Sequence, residues 1–465
     1  MTLGFLLFPL MGAILAPLCR NRNNARWIFT FVTGLSFLLC LAIAPEVPFA
    51  HRLFSPPKAI WTLQWGLDMP AWLLCITTTF VFHIISWIEF PKEYSRFLYC
   101  LLFFIEFTSL GFFMAQDLLS FAFFFEASLI PSVLLLRFFG GEGREQAILK
   151  MLGFFLLGAI AFLGGIWGLH NFCETPLLSD IRAILSCNSP RLLLSIFASL
   201  SLGVITQIPL FPFHLWLPDA HSEAPNPVTI SFSAVLLNVG AFGLYRLLYT
   251  IFPSPPQSII NLLLVLSAFT IIWGGICAFA QEDFKRSIVY ISLMHMGSIA
   301  VGLLLLRPLA AEGAILQMMS HSLISLALFA MASKVETIYF SRNFSNIGGF
   351  YKLPPGLGIF LLIFMVGNLT LPGTIGFIGE FILLHETLQK SIPALCALGI
   401  GFILTGFYSI RVVRLVNMGT VPEALGTFNI RPKKIIIHWV VFGVLSFLIF
   451  MLGIIPWHYK MLSGF

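Results

Sequence analysis

Three carboxylic acids stand where lipid would be expected. Glu126 sits in "FAFFFEASLIP", Glu106 in "FFIEFTSLGFF" and Glu380 in "IGFIGEFILL". A carboxylate at bilayer depth is costly, so each must face protein or water and be either paired or protonated. Proton relay is the chemistry such residues perform; the plainer alternative is a protonated carboxyl bonded to a backbone carbonyl as helix glue. His83, His295 and His321 lie in or near apolar runs, and His214 and His221 flank the proline-rich stretch "PLFPFHLWLPDAHSEAPNPV". Neutral imidazole both donates and accepts, and it titrates near neutral pH, which suits proton transfer. "HLWLPDAH" with Asp219 and Glu223 resembles a scatter of metal ligands, but Pro218 between the histidines prevents an i, i+4 pair and no HExxH is present. No metal site is expected there; Asp219 and Glu223 are expected to cap or neutralise the end of a half-helix. The sequence has no glycine-rich phosphate loop, nucleophile elbow or iron–sulfur cysteine spacing, so neither redox chemistry nor hydrolysis is expected within this chain.

The elements that hold these residues follow from composition. Of 465 residues 58% are hydrophobic and only 10% charged, with 50 phenylalanines. A water-facing surface needs about a quarter charged residues. Apolar stretches long enough to cross a hydrocarbon core recur throughout. The expected fold class is therefore an all-α polytopic membrane protein of about fourteen spans, near 2–19, 27–45, 70–88, 97–115, 118–137, 148–169, 191–215, 227–251, 258–281, 287–306, 310–336, 356–387, 393–416 and 435–455. Leu3–Leu18 has no preceding basic residue and is followed by Arg20, Arg22 and Arg26, the charge order of a retained span rather than a cleaved leader. On this segmentation 18 of the 26 Lys and Arg fall on the side of the connections after odd-numbered spans, and the other 8 on the side holding both termini. The positive side is cytoplasmic, so both termini are expected to face away from the cytoplasm. The cysteines Cys19, Cys40, Cys75, Cys100, Cys173, Cys187, Cys277 and Cys396 read as packing residues, without a disulfide framework. The modest basic excess reads as loop charge, with no nucleic-acid partner.

Two spans are unlike the rest. The seventh contains Pro209 and Pro212, the twelfth Pro372 and Gly373. Proline removes a helix hydrogen bond, and in lipid the freed backbone groups must find partners within protein or water. Two such places in corresponding positions point to broken helices and an ion path through a repeated fold. The polar cluster beside the seventh break is expected to close its exposed end and supply a hydrated opening.

"FFFEASLIPSVLLLRFFGGEGR", "PLFPFHLWLPDAHSEAPNPV", "QEDFKRSIVYISLMHMG", "QMMSHSLISLALF" and "LPGTIGFIGEF", with "WGLDMPAWLL" near the start, resemble in sequence and order the antiporter-like membrane subunits of NADH-quinone oxidoreductase (respiratory complex I), the subunit M or mitochondrial subunit 4 family. The resemblance covers almost the whole chain. It implies two inverted five-helix repeats, each with one broken helix: amino-terminal helices over 1–96, a first repeat over 97–251, a second over 258–416 and a last helix over 417–465. It implies no bound cofactor; NADH, FMN, iron–sulfur clusters and quinone belong to other subunits. Its partners are other membrane-arm subunits, the lipid bilayer and protons, in a bacterial inner membrane. Glu126 and Glu380 match the family's glutamates of the fifth and twelfth spans, His321 its eleventh-span histidine, and His295 falls in an "SHMG"-like stretch.

There is a departure. The family usually carries lysine at the positions of Gln207, in "TQIPLF", and of Asn238, in "LLNVGAFG". A buried ammonium holds a nearby carboxylate ionised. Without it, desolvation acts alone on Glu126 and favours the neutral acid. The amides can order water but cannot store a proton, so a weakly pumping or non-pumping subunit is one expectation, and a relay through His321 with Glu106 another. Rival readings are a subunit of a multi-subunit cation/proton antiporter, or an inert structural paralogue.

Overall fold

The computed structural model describes residues 2–43, 51–54, 63–88, 95–186, 190–352, 356–421 and 432–454. Cys187 lies outside them. Among the described residues eleven helices are long and apolar enough to cross a membrane, and Phe5–Leu18, Leu193–Gln207 and Leu357–Asn368 are shorter apolar helices. The fold is that of an all-α polytopic membrane protein. The helix starts fall where the sequence supplies side-chain acceptors: Asp68 accepts from Ala71 N, Asp117 from Ser120 N and Asp283 from Arg286 N. Each carboxylate replaces a partner that the first helical turn lacks.

Burial separates lining helices from lipid-facing ones. The apolar windows of Asn226–Ile251 and Pro308–Tyr339 are wholly buried, whereas Arg144–Cys173 exposes Leu149, Ile160 and Trp167. Arg144–Cys173 turns one side outward and packs the other, with Met151, Phe155 and Phe162, into protein, so its sequence is apolar nearly all round.

The chain forms two compact units, Met1–Leu266 and Ser267–Phe465. In the first, an unexpected antiparallel hairpin pairs His51–Phe54 with Leu63–Trp65. Its second strand is tied to Asp117, whose Oδ2 accepts from Gln64 N at 2.8 Å. Burial pushes the Asp117 carboxyl above the usual range, opposed by its hydrogen bonds from Gln64 and Ser120. A short helix, Leu178–Leu185, also lies in a stretch expected to be loop.

Both expected interruptions are present. The helix Pro190–Gln207 stops eight residues before the expected end of its span, and Leu217–Glu223 resumes after Pro209 and Pro212. In the second unit Leu357–Asn368 and Ile375–Lys390 are separated around Pro372 and Gly373. Gly373 has φ +92°, a conformation a side chain would strain. Gly453 packs so closely here that a Cβ on it would meet the Thr374 carbonyl carbon at 2.3 Å.

Candidate functional site: buried polar groups at two helix breaks

In the first unit, Gln207 is the last residue before the break and is buried, its Oε1 without a partner among the described residues. Gly240 makes room for it: a Cβ there would lie 2.8 Å from Ile208 N and 2.9 Å from Gln207 Cβ. Asn238, two residues earlier on the same buried helix, donates Nδ2 to Ala234 O at 3.3 Å. Trp216 closes the broken end, its indole N–H donating to Thr206 O at 3.0 Å. An aromatic residue thus supplies a partner to a backbone carbonyl beside the break. His214 is buried and stacked on Phe211, and His221 is buried with its ring edge-on to Phe232.

Asp219 stands in the first turn of Leu217–Glu223, where an acid offsets the helix end as expected, but Glu223 acts elsewhere. Asp219 pairs with Lys150 at 2.5 Å, and Glu223 caps another helix altogether, Oε2 accepting from Gly143 N at 2.9 Å at the start of Arg144–Cys173. The glycines of "GGEGR" permit this approach: a Cβ on Gly141 or Gly143 would fall 2.6 or 2.8 Å from the Glu223 carboxylate.

Glu126 is half-buried next to a discontinuity, where Leu118–Ala127 gives way at Ser128 to Leu129–Phe139. Pro131 has no N–H for the Ala127 carbonyl, which loosens the helix at that point. Among the described residues Glu126 Oε1 has no partner. Glu106 is 0% exposed and neither of its carboxyl oxygens has a partner among the described residues. His83 is held structurally, accepting from Trp87 Nε1 at 3.1 Å.

The second unit brings its candidates together. Gly313 and Gly379 allow Pro308–Tyr339 and Ile375–Lys390 to touch backbone to backbone, since a Cβ on Gly379 would meet Gly313 O at 3.0 Å. That contact delivers Gln317 to Glu380, with Nε2 donating to Oε2 at 2.9 Å. His295 and Glu380 line one small cavity with Ser298, Asn368, Thr370 and Thr405. Its room is about that of one water. His295 Nε2 lies 3.3 Å from Asn368 Oδ1, and Asn368 Nδ2 donates to Ser409 at 3.4 Å. With its amide so placed, the asparagine accepts from the imidazole N–H. His321 is 3.4 Å from Ser325 Oγ, and its ring centroid is 6.1 Å from that of His295. Hydroxyl, amide, imidazole and carboxyl groups thus form a buried polar row beside the break.

Gln317, Asn368, Ser325 and Ser409 were not among the sequence-based candidates. Two had legible signals: Gln317 and Ser325 stand four residues either side of His321, on its helical face. Asn368 ends the helix before the Pro372 break. Among the described residues no group of three or more His, Cys, Asp or Glu could hold a metal ion.

Interrupted helices around intramembrane acids and imidazoles define a polytopic membrane protein organised about a buried polar interior. The chain belongs to the family described as NADH:quinone oxidoreductase/Mrp antiporter, TM, which matches residues 115–406. It is similar to NADH-quinone oxidoreductase subunit M of Rhodobacter capsulatus, at 29% identity over 96% of this chain and 91% of the relative. The same-named subunit of Rickettsia felis is 32% identical over 85% of this chain and 80% of its own length. Among solved structures it resembles a chain of respiratory complex I from Thermus thermophilus with bound NADH, with TM-score 0.90 and 26% identity, covering 100% of this chain and 97% of that one.

Proposed function

We propose that this chain is a membrane-arm subunit of a proton-translocating NADH-quinone oxidoreductase, and that it forms part of the path coupling quinone reduction to proton movement. The observation that carries this reading is the buried row Gln317–Glu380, His295–Asn368–Ser409 and His321–Ser325 beside the interrupted helix of the second unit. Glu380 is the group that binds and releases the proton; the imidazoles and one water link it onward. The shorter apolar helices, added to the eleven long ones, support a fourteen-span chain. In this reading residues 97–251 and 258–416 are inverted repeats, and both termini face away from the cytoplasm of an inner membrane. NADH, FMN, iron–sulfur clusters and quinone are held by partner subunits.

The first repeat is the weaker conductor. Gln207 and Asn238 can orient water near the first break but cannot carry a proton, so Glu126 lacks the cation that would hold it ionised. The test is the Q207K/N238K double variant in the whole complex, reconstituted in vesicles, with protons moved per NADH as the readout. A higher ratio than wild type is expected; no gain over a full wild-type ratio rejects the weakened repeat. Purification in mild detergent without flavin or iron–sulfur subunits would favour a cation/proton antiporter instead.

A further inference from the structure

One end of the second unit carries a titratable cluster outside the polar row. Glu386 lies one turn before the end of Ile375–Lys390, with its side chain only 2% exposed. The carboxyl-terminal end of a helix is its negative pole, so a buried anion there needs strong support. Arg307 supplies it, Nε lying 2.8 Å from Oε2, and His385 Nδ1 lies 3.2 Å from Oε1. Gln389 joins the other two: Oε1 accepts from Arg307 Nη1 at 2.8 Å, and Nε2 is 3.2 Å from His385 Nε2.

The chemistry of the four fixes the imidazole. A guanidinium only donates, so the Gln389 oxygen must face Arg307 and its NH2 must face His385. His385 Nε2 is therefore an acceptor, and the proton of the neutral ring sits on Nδ1, donated to Glu386. The ring is half exposed, 50%, so opening the Gln389 contact would present Nε2 to water. Glu386 is six residues along the same helix from Glu380, a rise of about 9 Å. Between them Leu383 is fully buried, its Cδ2 seated in the notch at Gly302, where a Cβ would come within 2.3 Å.

We propose that His385, oriented by Glu386, Arg307 and Gln389, is the port through which protons pass between Glu380 and water, with Leu383 as the dry plug between them. The proposal rests on the proton-path reading of Glu380 above. The connections bearing Arg307 and Lys390 follow even-numbered spans, so the port serves the side away from the positive loops, the release side. The step balances simply. Glu380 gives its proton to water admitted past Leu383. A proton then adds to His385 Nε2 as the Gln389 contact opens, and Nδ1–H stays on Glu386. A water or buffer base outside takes the Nε2 proton and the neutral ring returns to Gln389. Glu386, Arg307 and Gln389 are positioning residues.

The experiment uses the whole complex in vesicles carrying H385A, H385Q or E380Q, at low buffer concentration, with and without added imidazole. H385A is expected to slow NADH-driven proton transfer on the order of tenfold, below the usual loss of a general acid–base group because water substitutes in part. NADH oxidation with an uncoupler should persist, and imidazole should restore proton transfer. H385Q keeps hydrogen-bonding capacity but cannot carry a proton, so it should behave as H385A. Wild-type rates in H385A or H385Q, or a loss that imidazole does not repair, overturn the port. If E380Q slows NADH-driven proton transfer while H385A leaves it at the wild-type rate, the port alone fails; if E380Q leaves the rate at wild type, the underlying path fails.

Discussion

Replacing Gly143 with alanine should release the clip that ties the first break to its neighbouring helix. Gly143 has φ −81°, which alanine adopts freely, so no backbone strain confuses the result. The added Cβ would meet Glu223 Oε1 at 2.8 Å and Cδ at 3.0 Å, and a carboxylate at the end of a flexible side chain will swing aside. What is lost is the Gly143 N–H to Glu223 Oε2 bond of 2.9 Å. A hydrogen bond to a charged group contributes about 1.5–3 kcal/mol, and the favourable helix-pole interaction up to about 1 kcal/mol where exposed. Glu223 is partly exposed, so about 1.5 kcal/mol is a fair net figure, roughly tenfold in a local opening equilibrium. Hydrogen exchange measured on the first turns of Arg144–Cys173, in the detergent-purified complex, should accelerate by that factor. E223A should do the same, and G143A/E223A should cost no more than either alone, since both remove one interaction. Gly153 is the control, having no atom within 4 Å of its would-be Cβ; G153A should gain about 1 kcal/mol through helix propensity. If the double variant costs the sum of the singles, Glu223 is not the cap.

Two further outcomes follow from the same geometry. Q317L removes the 2.9 Å donor to Glu380, and loss of about 1.5–3 kcal/mol of support for its carboxylate should cut proton transfer by about ten- to hundredfold. Uncoupled NADH oxidation should be spared, and an unchanged proton-to-NADH ratio would remove Gln317 from the path. D68N keeps the oxygen that accepts from Ala71 N but leaves Arg246 without its carboxylate partner. Arg246 is buried, donates also to Phe113 O and lies over the Phe242 ring at 4.8 Å. A thermal-unfolding series should show a loss of about 3 kcal/mol, at the low end for a broken buried pair because Asp68 is a third exposed. A loss below that of an ordinary surface change would show that Arg246 is satisfied by backbone and ring alone.

Much of the architecture could be read from residue order. Long apolar runs dictated membrane helices because backbone polar groups in lipid must pair within their own segment. Pro209, Pro212, Pro372 and Gly373 announced the two interruptions, since a missing N–H and a left-handed glycine are local properties. Glu126, Glu380 and Glu106 stood out for the cost of a carboxylate in an apolar run. The errors were of another kind. Glu223 was expected to cap or neutralise the end of a half-helix, yet it reaches the start of the long helix Arg144–Cys173, 80 residues away. The seventh break is closed by a tryptophan that sequence ranks as one apolar residue among many.

The sequence by itself therefore determined class, helices and breaks, because hydrophobicity and backbone chemistry act within a few residues of one another. Only the tertiary structure decided which polar groups meet. Gln317 finds Glu380 across 63 residues and Asn368 finds His295 across 73, through close approaches that Gly313 and Gly379 permit. Such pairings depend on interhelical distance and rotation. No residue's type records these; they emerge only when the helices pack.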